Sequence, residues 1–418
     1  MIRPSPNAVF YSVLALLPIA LALPRLFTGP WYLTHSPAGA RLLEGLPISW
    51  ESTYYLMQFT RFLGDVQPEA APFTSIHYRT WPNLFLATSL YAVLGSSFWA
   101  MAAVDWLFWV LGAIAGDRVA RRLGAGRLAA ALAAVMIVGA PIFACSVWRV
   151  DLRLGNSATM AIGLWAAFAL VDDERHPLRL AAKLGLMLLL LGLNYQYQFI
   201  IGPMLLVLLL ASPTLTKRQA IAVLAGAAAT YLFSNSLLRW ALDVAVGVPG
   251  GEPSTIVAAA EEMLAARLSA MRSLADLLPL LPSWYHLELT AQAYHPVVLA
   301  ACVAGLFLLT PLARWLAVVA TLATFATVSF YGYPWVAMSA YPIFYAGAAM
   351  TCVVAGRTLA RVITRLVPAA KVVALNRRDP DAVAVGLACV LLTLTNLDLV
   401  GDSTFYLRWW NFWDRVTF

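Results

Sequence analysis

Residues 98–124 read FWAMAAVDWLFWVLGAIAGDRVARRLG. From Phe98 to Gly116 the run carries one charged side chain, Asp105, and it stops against Asp117, Arg118, Arg121 and Arg122. About 20 apolar residues at a rise of about 1.5 Å each are what a bilayer crossing needs. A closing cluster of arginines marks the cytoplasmic side of such a crossing.

Runs of the same kind lie on either side, near Val9–Phe27, Leu128–Cys145, Ala158–Val171, Leu184–Asn194, Phe199–Ala211, Ala220–Ser236, Pro296–Leu312, Trp315–Phe330, Ala337–Ala355 and Ala382–Val400. The expectation is an all-α polytopic integral membrane protein with about eleven transmembrane helices, in a range of ten to twelve. The least certain pair flanks Asn194–Gln198, a polar break in one long apolar stretch.

Composition agrees. Of 418 residues, 61% are hydrophobic and 12% charged, with a mean hydropathy of +0.75. A soluble domain is about a quarter charged, so this chain has too few charges to cover itself in water. The net charge of +7 is no sign of a nucleic-acid partner, because the basic residues sit in short clusters between apolar runs. With the N-terminus inside and eleven spans, the inner loops collect 17 of the 28 Lys and Arg against 6 of the 21 acids. That asymmetry favours a plasma (inner) membrane location with the N-terminus cytoplasmic and the C-terminus outside. Val9–Phe27 is read as a retained first span. The four cysteines read as small core residues, with no disulfide framework or metal site.

Residues 1–355 then form one transmembrane module. Two long segments, 28–97 and 237–295, face outward. A basic segment, 356–381, is expected as an interfacial stretch on the inner face. Residues 382–418 supply the last span and an aromatic tail from Phe405 to Trp413, which could dock a partner protein.

The first outer segment holds the candidate chemistry. Ser49–Leu63 reads as an amphipathic interfacial helix, with Ser49 as N-cap and Glu51, Tyr54 and Tyr55 on one face. His77-Tyr78-Arg79-Thr80-Trp81-Pro82 and a second amphipathic run to Gly95 follow. On these residues alone, anchoring at the interface explains Glu, Tyr and Arg as well as function does.

Trp50-Glu51-Ser52-Thr53-Tyr54, His77 through Pro82 and Leu90–Gly95 resemble the first outer loop of the protein O-mannosyltransferases and aminoarabinose transferases, family 39-like members of the GT-C glycosyltransferase superfamily. The span closing on Asp117–Gly124, the outer Trp148-Arg149-Val150-Asp151 and the late Ser339-Ala340-Tyr341-Pro342 continue the resemblance. It implies a GT-C fold and transfer of a sugar from a polyprenyl-phosphate donor to an acceptor at the outer face, with inversion. Glu51 matches the family's catalytic base. Asp151 is a second carboxylate, to orient the acceptor or help hold a divalent cation. The lipid phosphate would meet Arg79, Arg149 and Arg153, with His77 as a further donor and Tyr54 beside Glu51. Membrane lipids and the lipid-linked sugar are the implied partners.

The sequence also departs from that pattern. Trp50 stands where the family has its first acid, the His-Pro-Pro element is broken, Ala102–Asp105 holds no arginine, and Asn194–Gln198 holds no lysine. A non-catalytic structural subunit of a membrane complex is therefore a second reading, and a transporter a third. Arg149 and Asp151 could equally pair at a span end. Asp105, read as an intramembrane carboxylate, is as consistent with a functional site as with a buried polar pair.

Overall fold

The computed structural model describes residues 5–28, 42–43, 46–47, 86–87, 89–90, 93–94, 97–140, 158–193, 197–246, 294–331, 340–366 and 380–401. Among these, eleven helices follow one another: α1 Pro6–Thr28, α2 Ser97–Arg122, α3 Arg127–Gly139, α4 Thr159–Asp173, α5 Pro177–Leu193, α6 Gln198–Ala211, α7 Lys217–Val246, α8 Pro296–Leu306, α9 Pro311–Tyr331, α10 Tyr341–Leu366 and α11 Pro380–Gly401. Each expected span falls on one of them. The exception to all-α is a two-residue antiparallel pair, Leu42–Leu43 with Leu46–Pro47.

Local chemistry sets the boundaries. Proline opens α1, α5, α8, α9 and α11, where its missing N–H costs nothing and its fixed φ suits the first turn. That corrects one expected span. Pro296–Leu312 is cut at Leu306, because Pro311 cannot extend a helix and starts the next one. Thr216 and Gln219 form a capping box at α7: the Gln219 N–H donates to Thr216 Oγ1 at 3.3 Å and the Thr216 N–H to Gln219 Oε1 at 2.9 Å. α2 ends in a Schellman turn at Gly124 (φ +96°), where Ala125 N–H reaches Ala120 O at 2.9 Å and Gly124 N–H reaches Arg121 O at 3.1 Å.

Glycine lets the helices approach to backbone contact. A methyl on Gly305 would overlap the Gly347 carbonyl, and one on Gly347 would overlap that of Cys302, so α8 and α10 meet main chain to main chain. α10 and α11 do the same at Gly356 and Ala384, and α5 and α7 at Gly185 and Ala227. Small residues at close crossings are the packing mode of helices in lipid. Outward, the bundle exposes large apolar side chains, among them Phe233 71%, Trp315 62% and Leu190 60%. By length and composition, two helices suffice for a crossing, Lys217–Leu238 within α7 and Tyr341–Ile363 within α10.

The two ends of the bundle differ. At one end four of the five connections are short, 123–126, 174–176, 212–216 and 307–310, and the fifth is 367–379. They are cross-tied there, by Arg122 Nη1 to Asp172 Oδ2 at 2.6 Å, Thr310 N–H to Leu123 O at 3.0 Å, and Arg357 Nη2 to Asp381 Oδ1 at 3.0 Å. The other end receives the three longest connections, 29–96, 140–158 and 247–295, together with 194–197 and 332–340. Residues 356–366 of the basic segment 356–381 belong to α10. Arg357, Arg361 and Arg365 lie on the last three turns of α10, continuous with the late span, and residues 367–379 are outside the described set.

Candidate functional site

At the end that receives the long connections, aromatic side chains pack inside the bundle. Tyr197, Tyr294 and Tyr341 stand at the starts of α6, α8 and α10 and are fully buried. Tyr294 packs edge-on against Phe344 at 5.5 Å and tilted against Tyr345 at 5.6 Å. Tyr341 meets the Trp109 ring of α2 at 6.4 Å, and its hydroxyl donates to the Ala158 carbonyl at 3.4 Å. This layer ties the first turns of α4 and α10 to one face of α2.

The same face of α2 carries Asp105. Asp105, Trp109 and Gly112 follow at i, i+4 and i+7, so they share a stripe. Trp109 fixes that stripe against Tyr341, and Gly112 fixes it against Ala158. Asp105 lies one turn beyond Trp109 toward the long-connection end and is fully buried. It stands about 25 Å along α2 from Arg122, at about 1.5 Å per residue. Within α2, Ser97–Arg122, Asp105 stands closer to the Ser97 end, where α4 and α10 also begin, than to Arg122. α4, α6, α8 and α10 all turn their N-termini, and so the positive ends of their dipoles, toward that end.

His295 adds a strained element. Among the described residues it is the one non-glycine with positive φ, at 64°. It caps α8, its Nδ1 accepting the Val297 N–H at 3.3 Å, which leaves the proton of the neutral ring on Nε2.

With the architecture described, its relatives can be placed. No protein-family profile matches the chain, and no curated protein does. Solved structures do match. The oligosaccharyltransferase of Archaeoglobus fulgidus in the apo form aligns over 93% of this chain and 55% of its own, at 14% identity and a TM-score of 0.52. The archaeal oligosaccharyltransferase AglB from Archaeoglobus fulgidus, in complex with an inhibitory peptide and a dolichol-phosphate, aligns over the same shares at 13% identity and a TM-score of 0.51.

The fold is GT-C.

ArnT from Cupriavidus metallidurans bound to undecaprenyl phosphate aligns over 95% of this chain and 77% of its own, at 14% identity and a TM-score of 0.47. The chain spans about half the length of the oligosaccharyltransferase it matches, 55%.

In this GT-C bundle the residues expected to carry the chemistry divide sharply. Glu51, Tyr54, His77 and Arg79, and Arg149, Asp151 and Arg153, lie outside the described residues, as does the aromatic tail. The segments that bear these site residues join α1 to α2 and α3 to α4, and both attach at the long-connection end. Asp105 is the expected site residue that the described structure positions. Among the described residues no three His, Cys, Asp or Glu gather as a metal site, so nothing described holds the cation that Asp151 was expected to help bind.

Reading the sequence missed the tyrosine layer and the left-handed cap at His295. The available signal was positional: Tyr197-Gln198, Tyr294-His295-Pro296 and Tyr341-Pro342 each open an apolar run. Aromatics at such places read as an interfacial belt, and here they turn inward.

Proposed function

We propose that the chain is an integral membrane glycosyltransferase of eleven crossings, with its N-terminus inside and its C-terminus outside. It moves a sugar from a polyprenyl-phosphate carrier to an acceptor hydroxyl at the outer face. The observation that carries this reading is the GT-C bundle itself, with arginines on the helix ends that flank the short loops at one end and its longest connections at the other. The archaeal relative with a bound dolichol-phosphate and peptide supports a lipid carrier and a separate acceptor.

In this reading Glu51 takes the proton of the acceptor hydroxyl. The hydroxyl oxygen bonds to the anomeric carbon from the face opposite the phosphate. The bond from that carbon to the phosphate oxygen breaks, and polyprenyl phosphate leaves. Arg79, Arg149 and Arg153, with His77, meet the phosphate charge through fixed donors, and the five helix N-termini at that end, those of α2, α4, α6, α8 and α10, add a positive field. Asp151 orients the acceptor, Tyr54 packs beside Glu51, and Asp105 anchors the floor from α2. No step is routed through a metal.

A second reading, a non-catalytic subunit of a membrane complex, is favoured by one observation: Trp50 stands where a paired acid is expected. The two separate in one assay. Membranes containing the protein are given polyprenyl phosphate carrying a tritiated hexose or a tritiated aminopentose, and sugar leaving the lipid is followed. Transfer by wild type that is lost in Glu51→Gln supports the enzyme. Absence of transfer from either donor, with a partner protein copurifying in fixed ratio, supports the subunit.

A further inference from the structure

α4 begins without a cap of its own. Its N-cap is Ala158, whose methyl has no polar atom to offer the first N–H groups. α8, by contrast, is capped by its own His295. At α4 the polar group comes from another helix. Tyr341, the first residue of α10, donates its hydroxyl to the Ala158 carbonyl at 3.4 Å, and the Ala161 N–H is a further partner of the same oxygen. Tyr341 and Ala158 are 183 residues apart in the chain, and both are fully buried. One phenol oxygen thus lies across the first turn of α4.

Ala158 is also pressed against α2, where a methyl on Gly112 would stand 2.9 Å from the Ala158 Cβ. That contact fixes how close α4 comes to α2. It does not fix how α4 is turned about its own axis, because apolar contact is non-directional. A hydrogen bond has direction. The Trp109 ring, 6.4 Å from that of Tyr341, holds the phenol in place, so its hydroxyl acts as a fixed reference. Phenylalanine would fill the same space against Trp109, so packing does not account for the hydroxyl. The setting of this turn matters beyond α4. Ala158 is the last residue of the connection 140–158, and Arg153, Asp151 and Arg149 precede it by five, seven and nine residues. Turning the helix start swings the chain that enters it, and a displacement of about 1 Å at a reacting group costs up to about a hundredfold.

We propose that Tyr341 is a positioning residue for the lipid phosphate. Its hydroxyl sets the orientation of the first turn of α4, and through it the segment that carries Arg149, Asp151 and Arg153. Tyr341 touches neither sugar nor phosphate. It acts from α10 on α4, so that Arg149 and Arg153 meet the phosphate together. The role rests on the reading of that segment as the phosphate-binding one.

The test is binding of tritiated undecaprenyl phosphate to the detergent-solubilised full chain. It compares wild type, Tyr341→Phe, Arg149→Gln with Arg153→Gln, and the three substitutions together. Tyr341→Phe keeps the ring and should weaken binding by about three- to tenfold, the range for one hydrogen bond. Its melting temperature should stay within about 3 °C of wild type. In the background without the two arginines, the same substitution should change binding less than about twofold, because nothing is left to position. A purely structural role would give the same loss in both backgrounds. Tyr231→Phe is the control: it removes a hydroxyl that accepts from Gln198 Nε2 at 3.3 Å between α6 and α7, and should leave affinity unchanged. Equal loss in both backgrounds, no loss in Tyr341→Phe, or the same loss in Tyr231→Phe overturns the role. If Tyr341→Phe does not fold, hydrogen exchange of wild type decides. Undecaprenyl phosphate should slow the amides of Thr159 and Met160, and unchanged exchange there overturns the role. Arginine variants that bind like wild type would defeat the reading of the segment itself and the role with it, whereas loss in those variants alone removes only the role of Tyr341.

Discussion

At the short-loop end of the bundle, turns of three to five residues are held by their own capping groups and by ion pairs between neighbouring loops. At the opposite end the helices stop against a layer of buried tyrosines, a buried aspartate and a strained histidine cap. The first end is built from local rules, with Gly124 closing α2, Thr216 and Gln219 capping α7, and Pro177 and Pro311 opening the helices that follow. The second breaks local rules, with a carboxylate inside an apolar bundle and a non-glycine residue at positive φ. Local consistency is what stability selects for, and departures from it collect where a protein does its work.

The largest expected effect bears on the working end. Glu51→Gln should lower sugar transfer by about 10²- to 10⁴-fold, the range for removing a general base, with unchanged thermal stability in detergent. Transfer within about threefold of wild type would remove Glu51 as the base and leave the contrast between the two ends without a chemical meaning. Next is the packing that holds both ends in register. Gly347→Leu forces a side chain into the Cys302 carbonyl, and should cost about 3 kcal/mol or more in stability, the upper range for overpacking. The loss would be seen as a fall in melting temperature and in folded yield. A variant as stable as wild type would mean that α8 and α10 do not touch as described.

Asp105 sharpens the comparison further. If it anchors the floor of the site, Asp105→Asn keeps the shape and should lower transfer by about ten- to a hundredfold through misplacement of the reacting groups. Its melting temperature should move little. If Asp105 belongs only to a buried polar pair, the order reverses: stability falls and transfer per folded molecule is unchanged.

How much of this was legible in the sequence follows the same division. The eleven apolar runs, the proline starts and the arginine stops are written within a few residues of where they act, and each marks its helix. The split of Pro296–Leu312 was legible too, in Pro311, once hydropathy is ranked below the missing N–H. The continuation of α10 through Arg365 was hidden, because charge on a helix surface and charge on a separate interfacial segment have the same composition. The inward turn of Tyr197, Tyr294 and Tyr341 could not be read at all. Burial of an aromatic depends on which helix lies opposite, and Trp109 and Tyr341 are 232 residues apart in the chain. Asp105 was visible as an anomaly, but its depth depends on where α4 and α10 begin.

The smallest expected effect belongs to the short-loop end and tests whether its ion pairs are as local as they look. Glu174 lies in the turn between α4 and α5, outside the apolar helices. A hydrogen bond from Lys183 is the main cause that holds its carboxyl below the ordinary value of 4.5, with the His176 N–H as a second donor. A carboxyl with a lowered folded pKa stabilises the fold above its unfolded value, and that contribution fades as pH falls through the folded value. Wild type and Lys183→Met should therefore differ in melting temperature at pH 6 and converge below the ordinary carboxylate range. The difference should be small because the pair is exposed and screened by salt. A difference that persists undiminished at pH 3 would mean that Lys183 acts through packing of its stem along α5. The short-loop end would then be held by burial, as the tyrosine end is, and the contrast between the two ends would narrow to their loop lengths.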